Sequence, residues 1–378
     1  MQLQNNFFIH AVAGSGKTTR LIKLALRFKN NKILITTYTN KNTEEIKKKI
    51  ISIIGYLPQN IEVKTWFGFL LSDCIRPYQR VLGFYNRIKD ILFTVQNPHS
   101  KKLPNGKIIT VAKRSDVERY YFNKENKMYS CMLSDFACNC NENSNGAVIK
   151  RIEKCYDYIF IDEAQDFSGW DFTFLDLLFD SKARIIVVGD KRQNLFDTHK
   201  SNKNRKYAED LSLYFKERQQ SHIGILKEMN RSRRCCQRIC KFSDKINPEL
   251  GNTISDNTTI RDHMGIFYVR KNQVNTYIEK YNPQVLVWDK RNKLSKIYKT
   301  LNLGESKGLT FERVLISPTK EIVDYLKNGN FKKESIVIKN KLYVGITRAK
   351  YSVAFIIDDD EDISQYSFEE IALWQSNF

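Results

Sequence analysis

The chain has 378 residues, of which 42% are hydrophobic, and its 62 Lys and Arg against 42 Asp and Glu give a formal net charge of +20. No apolar run approaches the roughly 20 residues of a membrane-spanning helix, and the first residues lack the basic leader and small-residue cleavage site of a secretory signal. A cytoplasmic protein of two or three domains, with no membrane partner, is therefore expected. A positive balance of this size points to an anionic partner larger than a nucleotide, nucleic acid first. Single basic stretches such as 200–206 (KSNKNRK) also read as solvated loops.

Phe7-Phe8-Ile9 reads as a first strand, and it runs into the glycine-rich stretch AVAGSGKT at 11–18. Gly14 and Gly16 let the backbone turn tightly with its N–H groups pointing inward, and the helix that follows directs its positive end to the same point. This loop predicts a triphosphate site made of Ala13, Gly14, Ser15, Gly16, Lys17, Thr18 and Thr19. Lys17 supplies a mobile charge for the β- and γ-phosphates, and Thr18 a hydroxyl for Mg²⁺. Leu21, Leu24, Ala25 and Phe28 recur at spacings of three and four, the pattern of an amphipathic helix.

The next strand is Lys32–Thr36, followed by Tyr38 and a helix over Thr43–Ile54, with Asn42 or Thr43 as its cap and Glu44 and Glu45 in its first turn. Ile61–Lys64 is a short strand leading into Thr65-Trp66-Phe67-Gly68. Loops at the carboxyl ends of strands form the binding crevice of an α/β sheet. Tyr38 and Trp66 are thus candidates for stacking on bases, with a helix-capping contact for Tyr38 and a core anchor for Trp66 as the alternatives.

Residues 156–166, YDYIFIDEAQD, form an apolar strand ending in adjacent carboxylates. Asp162 is expected to hold Mg²⁺ through water, and Glu163 to orient and deprotonate the attacking water. A further strand, Ala183–Val188, carries Gln193 just beyond its tip, where a polar side chain can sense a γ-phosphate. The polar stretch 201–220 reads as a hinge, and Ile223–Leu226 as the first strand of a second lobe. There, Arg234–Ile246 reads as a helix, 284–288, 313–317 and 352–357 read as strands, and Asp358–Asp362 as a solvated acidic stretch. Short apolar strands alternating with helices are what a parallel sheet covered on both faces requires.

Eight cysteines occur without paired metal-ligand spacing. Cys131, Cys138, Cys140 and Cys155 make the nearest approach to a zinc set, while reduced, buried thiols are the plainer reading, with Cys236 and Cys240 on one helix face.

With these strand ends in place, the chain resembles superfamily 1 DNA helicases of the UvrD/Rep type. AVAGSGKTT is similar to motif I of that family, TYTNKNTEEIKKKI to motif Ia, TWFGFLL to the next DNA-contacting motif, YIFIDEAQDFS to motif II and VVGDKRQ to motif III. LKEMNRSRR, ESKGLTFERVLIS and KLYVGITRAK are similar to motifs IV, V and VI, in the same order, from residue 7 to about residue 357. The resemblance implies an α/β chain of two RecA-like parallel-sheet domains, a P-loop NTPase with a small insertion in the first. Residues 1–86 and 151–215 would form domain 1A, 87–150 a 1B-like insertion, and 216–378 domain 2A. It implies ATP and Mg²⁺ in a cleft between the lobes, single-stranded or tailed DNA as partner, and movement from 3′ to 5′. It also implies that Arg231 and Arg348 reach the γ-phosphate, that Gln193 couples nucleotide to DNA, and that Gly308 contacts nucleotide. Tyr38, Asn40, Lys41, Thr65, Trp66 and Phe196 would meet the nucleic acid.

The departures from that pattern matter as well. Only 13 residues precede Gly14, leaving no room in this sequence for the adenine-reading glutamine segment. Asn230 stands where an aromatic is expected, Gly304 and Thr310 replace the usual His and Glu of motif V, and Phe196 and Thr198 fill the positions of a Tyr and a DNA-stacking Trp. Residues 235–301 are too few for a 2B subdomain. A second reading follows, in which a helicase-like DNA sensor or ATPase subunit regulates a partner nuclease or repair protein of an anti-phage or repair complex. An RNA helicase is a third. The resemblance places the protein in the cytoplasm, bacterial or phage-encoded.

Overall fold

The computed structural model describes residues 6–93, 98, 100–104, 108–110, 112–194, 203–219, 221, 223–331 and 336–376. The backbone divides into two compact units, one made of Met1–His10, Thr18–Lys191 and Phe196–Glu228, the other of Ala11–Lys17, Arg192–Leu195 and Met229–Phe378.

The first unit is built on a six-stranded sheet. β1 (Asn6–Ala11), β2 (Ile33–Thr37), β3 (Ile61–Thr65), β4 (Tyr158–Ile161), β5 (Arg184–Gly189) and β6 (Ile223–Met229) lie in the order β6-β1-β5-β4-β2-β3. The pairs with a described register are parallel, with Phe7 opposite Ile186, Ile159 opposite Ile185 and Leu34, and Ile33 opposite Ile61. Their apolar runs are near-continuous because helices cover both faces of the sheet. These helices include α1 (Lys17–Ala25), α2 (Asn40–Ile54), α3 (Leu133–Asn143), α4 (Ala147–Cys155), α5 (Trp170–Phe179) and α6 (Leu211–Arg218). α2 begins earlier than its sequence suggested. The Thr39 hydroxyl accepts a 3.1 Å bond from Asn42 N, so Thr39 is the cap, and Glu44 and Glu45 fall outside the first turn.

Two expectations are corrected at the far end of this unit. The stretch read as a hinge contains two helices, Arg205–Glu209 and α6. Phe215 of α6 stacks on Phe8 of β1 at 3.6 Å, and Arg218 grips Asp176 through Nε and Nη2 at 2.6 and 2.8 Å. An apolar stripe hidden among charges is easily missed in a polar segment. Ile223–Leu226 likewise does not open a second lobe, because β6 completes the first sheet beside β1.

The insertion expected over 87–150 is also smaller. α3 and the face of α4 carrying Val148 and Ile152 belong to the core that holds Phe8, Leu34 and Phe174. Before them come short ribbons, Ile91–Leu92 with Met128–Tyr129 and Ser100–Lys102 with Ile108–Thr110.

The second unit carries its own six-stranded sheet. β7 (Gly265–Arg270), β8 (Gln284–Val287), β9 (Thr300–Asn302), β10 (Phe311–Ile316), β11 (Ala349–Ile357) and β12 (Ala372–Leu373) lie in the order β9-β8-β10-β11-β7-β12, every pair parallel. β7, β9 and β12 had no counterpart in the sequence reading. α7 (Gln237–Asp244), α8 (Val274–Tyr281), α9 (Lys320–Asn328) and α10 (Ile336–Ile346) cover the sheet. Gly345 of α10 lies so close to the sheet that a Cβ there would meet Leu303 Cδ2 at 2.4 Å.

Candidate functional site

β1 ends at Ala11, and the chain turns through Gly14 at φ +73° and Gly16 at φ +78° before α1 begins at Lys17. Both angles lie where residues with a Cβ are strained. At Gly14 a Cβ would also stand 2.7 Å from Ser232 Oγ and from Arg234 Cβ. Ala13 and Ser15 are buried, and Ser15 Oγ has no hydrogen-bond partner. Lys17, Thr18 and Thr19 form the first turn of α1, half-buried.

At the end of β4 the carboxylates meet this turn. Thr18 Oγ1 donates to Asp162 Oδ2 at 2.6 Å, and Asp162 Oδ1 accepts from Glu163 N at 3.1 Å. Asp162 is buried, while Glu163 is partly exposed at φ +62°, a left-handed conformation that a residue with a side chain seldom adopts. Gln165, which sequence reasoning passed over, supports the pair. Its Nε2 donates to Glu163 Oε2, and its Oε1 accepts from Asp190 N at 3.0 Å, just beyond β5. One buried amide thus ties Glu163 to the end of the neighbouring strand; the only sequence signal was its place in the DEAQD run.

The donor set fits a nucleotide with magnesium. A hydroxyl and a carboxylate are the hard oxygen ligands that Mg²⁺ takes. An unpartnered buried serine hydroxyl and a helix start suit phosphate oxygens.

In the second unit, Arg348 is buried, donating from Nε to Val344 O at 3.0 Å and from Nη2 to Gln193 Oε1 at 3.4 Å. Gln193 is buried as well. Arg231 is placed differently. Its side chain is 58% exposed and pairs with Asp256 at 2.6 Å, a carboxylate that holds the guanidinium charged. Gly308 turns the chain ahead of β10 at φ +84°. A further arginine, Arg192, is fully buried, with Nη1 on Asp244 and Thr253 and Nη2 on the carbonyls of Leu250 and Gly251.

The expected nucleic-acid residues divide. Asn40 and Lys41 are exposed in the first turn of α2, and Tyr38 is half-buried just before it. Thr65 caps the short helix Trp66–Phe69 by accepting from Gly68 N. Trp66 is 1% exposed, its ring packed 4.6 Å from Phe167 and its Nε1 donating to Asp171 at 2.8 Å. It is a core anchor and offers no stacking face, a correction to the first of its two readings. The same Asp171 accepts from Tyr38 OH at 3.3 Å and from Ser134 Oγ. Phe196 lies outside the described residues. Among the described residues, no group of three or more His, Cys, Asp or Glu is placed to hold a metal ion, and burial raises the thiols of Cys138 and Cys140 far above their ordinary range.

Residues 2–198 match the family model described as AAA domain (AAA_19). The chain belongs to the AAA domain family. The match covers the phosphate loop of this AAA domain protein together with its Asp162-Glu163 strand end. Its fold is α/β, a P-loop nucleotide-hydrolase fold of two RecA-like parallel sheets. No curated protein sequence matches it. Among solved structures it is similar to the porcine reproductive and respiratory syndrome virus (PRRSV) helicase, with 16% identity over 97% of this chain and 55% of that one and a TM-score of 0.45. It is also similar to arterivirus nonstructural protein 10, a helicase, at 13% identity over 96% of this chain and 62% of that one, TM-score 0.47. A structure of the arterivirus protein with DNA gives 14% identity over 95% and 62%, TM-score 0.47. The AAA domain protein thus spans between 55% and 62% of the length of these solved structures. None of its described helices is long and apolar enough to cross a membrane.

Proposed function

We propose that this protein is an ATP-dependent translocase on single-stranded DNA, of the UvrD/Rep type and moving from 3′ to 5′. The observation that carries the reading is the Thr18–Asp162 bond with Glu163 restrained beside it by Gln165. That is a magnesium-ligand pair next to a carboxylate positioned for water. Lys17 and Thr18 hold phosphate and Mg²⁺, Asp162 holds the metal through water, and Glu163 activates the attacking water. Gln193 senses the γ-phosphate through its bond to Arg348, and Arg348 and Arg231 supply compensating charge. For Arg231 this requires leaving Asp256. The net charge of +20 supports a polyanionic partner, and Tyr38, Asn40 and Lys41 are its contacts.

The test is DNA-stimulated ATP hydrolysis. Lys17→Ala and Glu163→Gln are expected to abolish turnover while retaining DNA affinity, and undiminished stimulated turnover in both ends the proposal. Duplexes with 3′ and 5′ tails, in DNA and in RNA, report polarity and strand chemistry.

A second reading is favoured by one feature. Among the described residues, 235–301 supply only strands and helices of the second unit's own sheet and its cover, and the short strand Ile254–Ser255, with no inserted subdomain. An ATPase subunit that senses DNA and regulates a nuclease in repair or anti-phage defence needs no such subdomain. Turnover without strand displacement supports that reading.

A further inference from the structure

Three arginines follow β6, at 231, 233 and 234, and they are placed differently. Arg231 grips Asp256, from Nε at 2.8 Å and from Nη2 at 2.6 Å. Arg234 is half-buried and donates from Nη1 to the Thr347 carbonyl at 3.0 Å. Arg233 is exposed, and among the described residues its guanidinium makes no hydrogen bond or ion pair.

That guanidinium lies beside the phosphate loop. A Cβ at Gly16 would stand 3.6 Å from Arg233 Nη1, 3.8 Å from its Cδ and 3.9 Å from its Cζ, so the side chain runs along bare loop backbone. The main chain holds it there. Val12 N donates to Met229 O at 3.0 Å and Arg233 N to Gly14 O at 2.9 Å, two backbone bonds that join the loop to the segment carrying the arginine. Ser232 within that segment is buried, and Gly14 lacks the Cβ that would collide with its Oγ. Loop residues 11–17 and residues 229–378 belong to the same compact unit.

A guanidinium presents its N–H donors in a planar fork that matches phosphate oxygens two at a time. Asp256 does not occupy that fork. Its carboxylate is kept below the ordinary range by the hydrogen bonds of Arg231 first and by the charge of Arg233 last. A cation already in place when an anion arrives needs no rearrangement, so it acts on binding itself.

We propose that Arg233 is a polyphosphate-binding residue, which donates to the β- and γ-phosphates of a nucleotide seated in the 11–18 loop and holds the triphosphate before any chemistry occurs. This role rests on that loop being a nucleotide site, as proposed above. It differs from the part given to Arg231, which must first leave Asp256, and from that of Arg348, which is buried. Because loop and arginine share one unit, the contact forms on binding and does not await hydrolysis.

The test uses the full chain with Mg²⁺ and fluorescent N-methylanthraniloyl derivatives of AMP-PNP and AMP. Arg233→Gln is expected to weaken the triphosphate analogue at least tenfold and the monophosphate less than about twofold, with Arg233→Lys between, because lysine keeps the charge but loses the fork. The KM for ATP should rise by more than kcat falls. Arg233 is exposed, so an unchanged unfolding midpoint in Arg233→Gln separates lost binding from lost structure. In the unsubstituted chain, bound nucleotide should shield Arg233 from phenylglyoxal, read by peptide mass spectrometry. Lys17→Ala is measured alongside. If it binds the analogue as the unsubstituted chain does, the phosphate-loop reading fails and this role with it. If it loses binding while Arg233→Gln keeps full affinity, only this role fails. Equal loss for the monophosphate, a fall in kcat at unchanged KM, or modification of Arg233 undiminished by nucleotide also overturns it.

Discussion

Thr18 and Asp162 are separated by 144 residues in sequence and share a 2.6 Å hydrogen bond between Oγ1 and Oδ2. One lies in the first turn of α1 and the other directly follows β4. In the parallel sheet that places β4 two strands from β1, the loop after each ends on the same edge. A hydroxyl and a carboxylate in contact form a ready pair of oxygen ligands for a hard cation.

Removing either partner should cost catalysis more than stability. Asp162→Asn and Thr18→Val are each expected to lower magnesium-dependent ATP turnover by about 100-fold or more, because a bound metal supplies several kcal/mol of charge stabilisation. Steady-state hydrolysis across a magnesium titration checks this. Normal turnover at saturating magnesium in both variants contradicts the assignment.

Gln165 is expected to act through Glu163. Gln165→Leu keeps the buried volume but drops both amide bonds, to Glu163 and to Asp190 N. Supporting contacts of this kind are worth roughly 10- to 100-fold, so kcat should fall in that range with KM for ATP little changed. Gln165→Glu retains an acceptor for Asp190 N but sets a carboxylate against Glu163, and should not rescue. Equal kcat in wild type and Gln165→Leu shows that Glu163 needs no such restraint.

Trp66→Ala should be a stability variant. Emptying a buried Trp site costs about 3–5 kcal/mol, and the Asp171 carboxylate loses its indole donor as well. Urea unfolding is expected to show this loss, while single-strand affinity of the folded fraction stays within about twofold at each salt concentration. A selective loss of affinity with unchanged unfolding would return Trp66 to the nucleic-acid face.

His263 should make the second unit sensitive to mild acid. Burial, then the charges of Arg313 and Lys280, hold its pKa down at about 4 against an ordinary 6.5. The unfolded chain therefore binds the proton more readily, so stability is full above pH 6.5 and falls as pH drops towards 4. The ring partly reaches water, so a loss of about 1 kcal/mol is expected after screening. His263→Asn suits the φ of +59° and should flatten that part of the profile. Urea midpoints at pH 7 and pH 4.5 for both proteins decide it, and parallel slopes would remove His263 as the cause.

The local grammar of the chain was enough to find the glycine turn after β1, the Asp162-Glu163 end of β4, the β5 tip and three strands of the second sheet. Each is written in consecutive residues, where an apolar run stops and a special residue type begins, and short-range sterics suffice to read it. Which strands become neighbours is not written that way. Residues 223–229 look like the start of something new and instead close the first sheet, and 205–218 look like a polar linker and instead pack Phe215 on Phe8. Trp66 and Gln165 differ from exposed residues of the same type only by what surrounds them. Burial and hydrogen-bond partnership come from chain segments about a hundred residues away for Trp66 and 25 for Gln165, whose partner Asp190 lies beyond the next strand. Those facts exist only once the sheet is assembled.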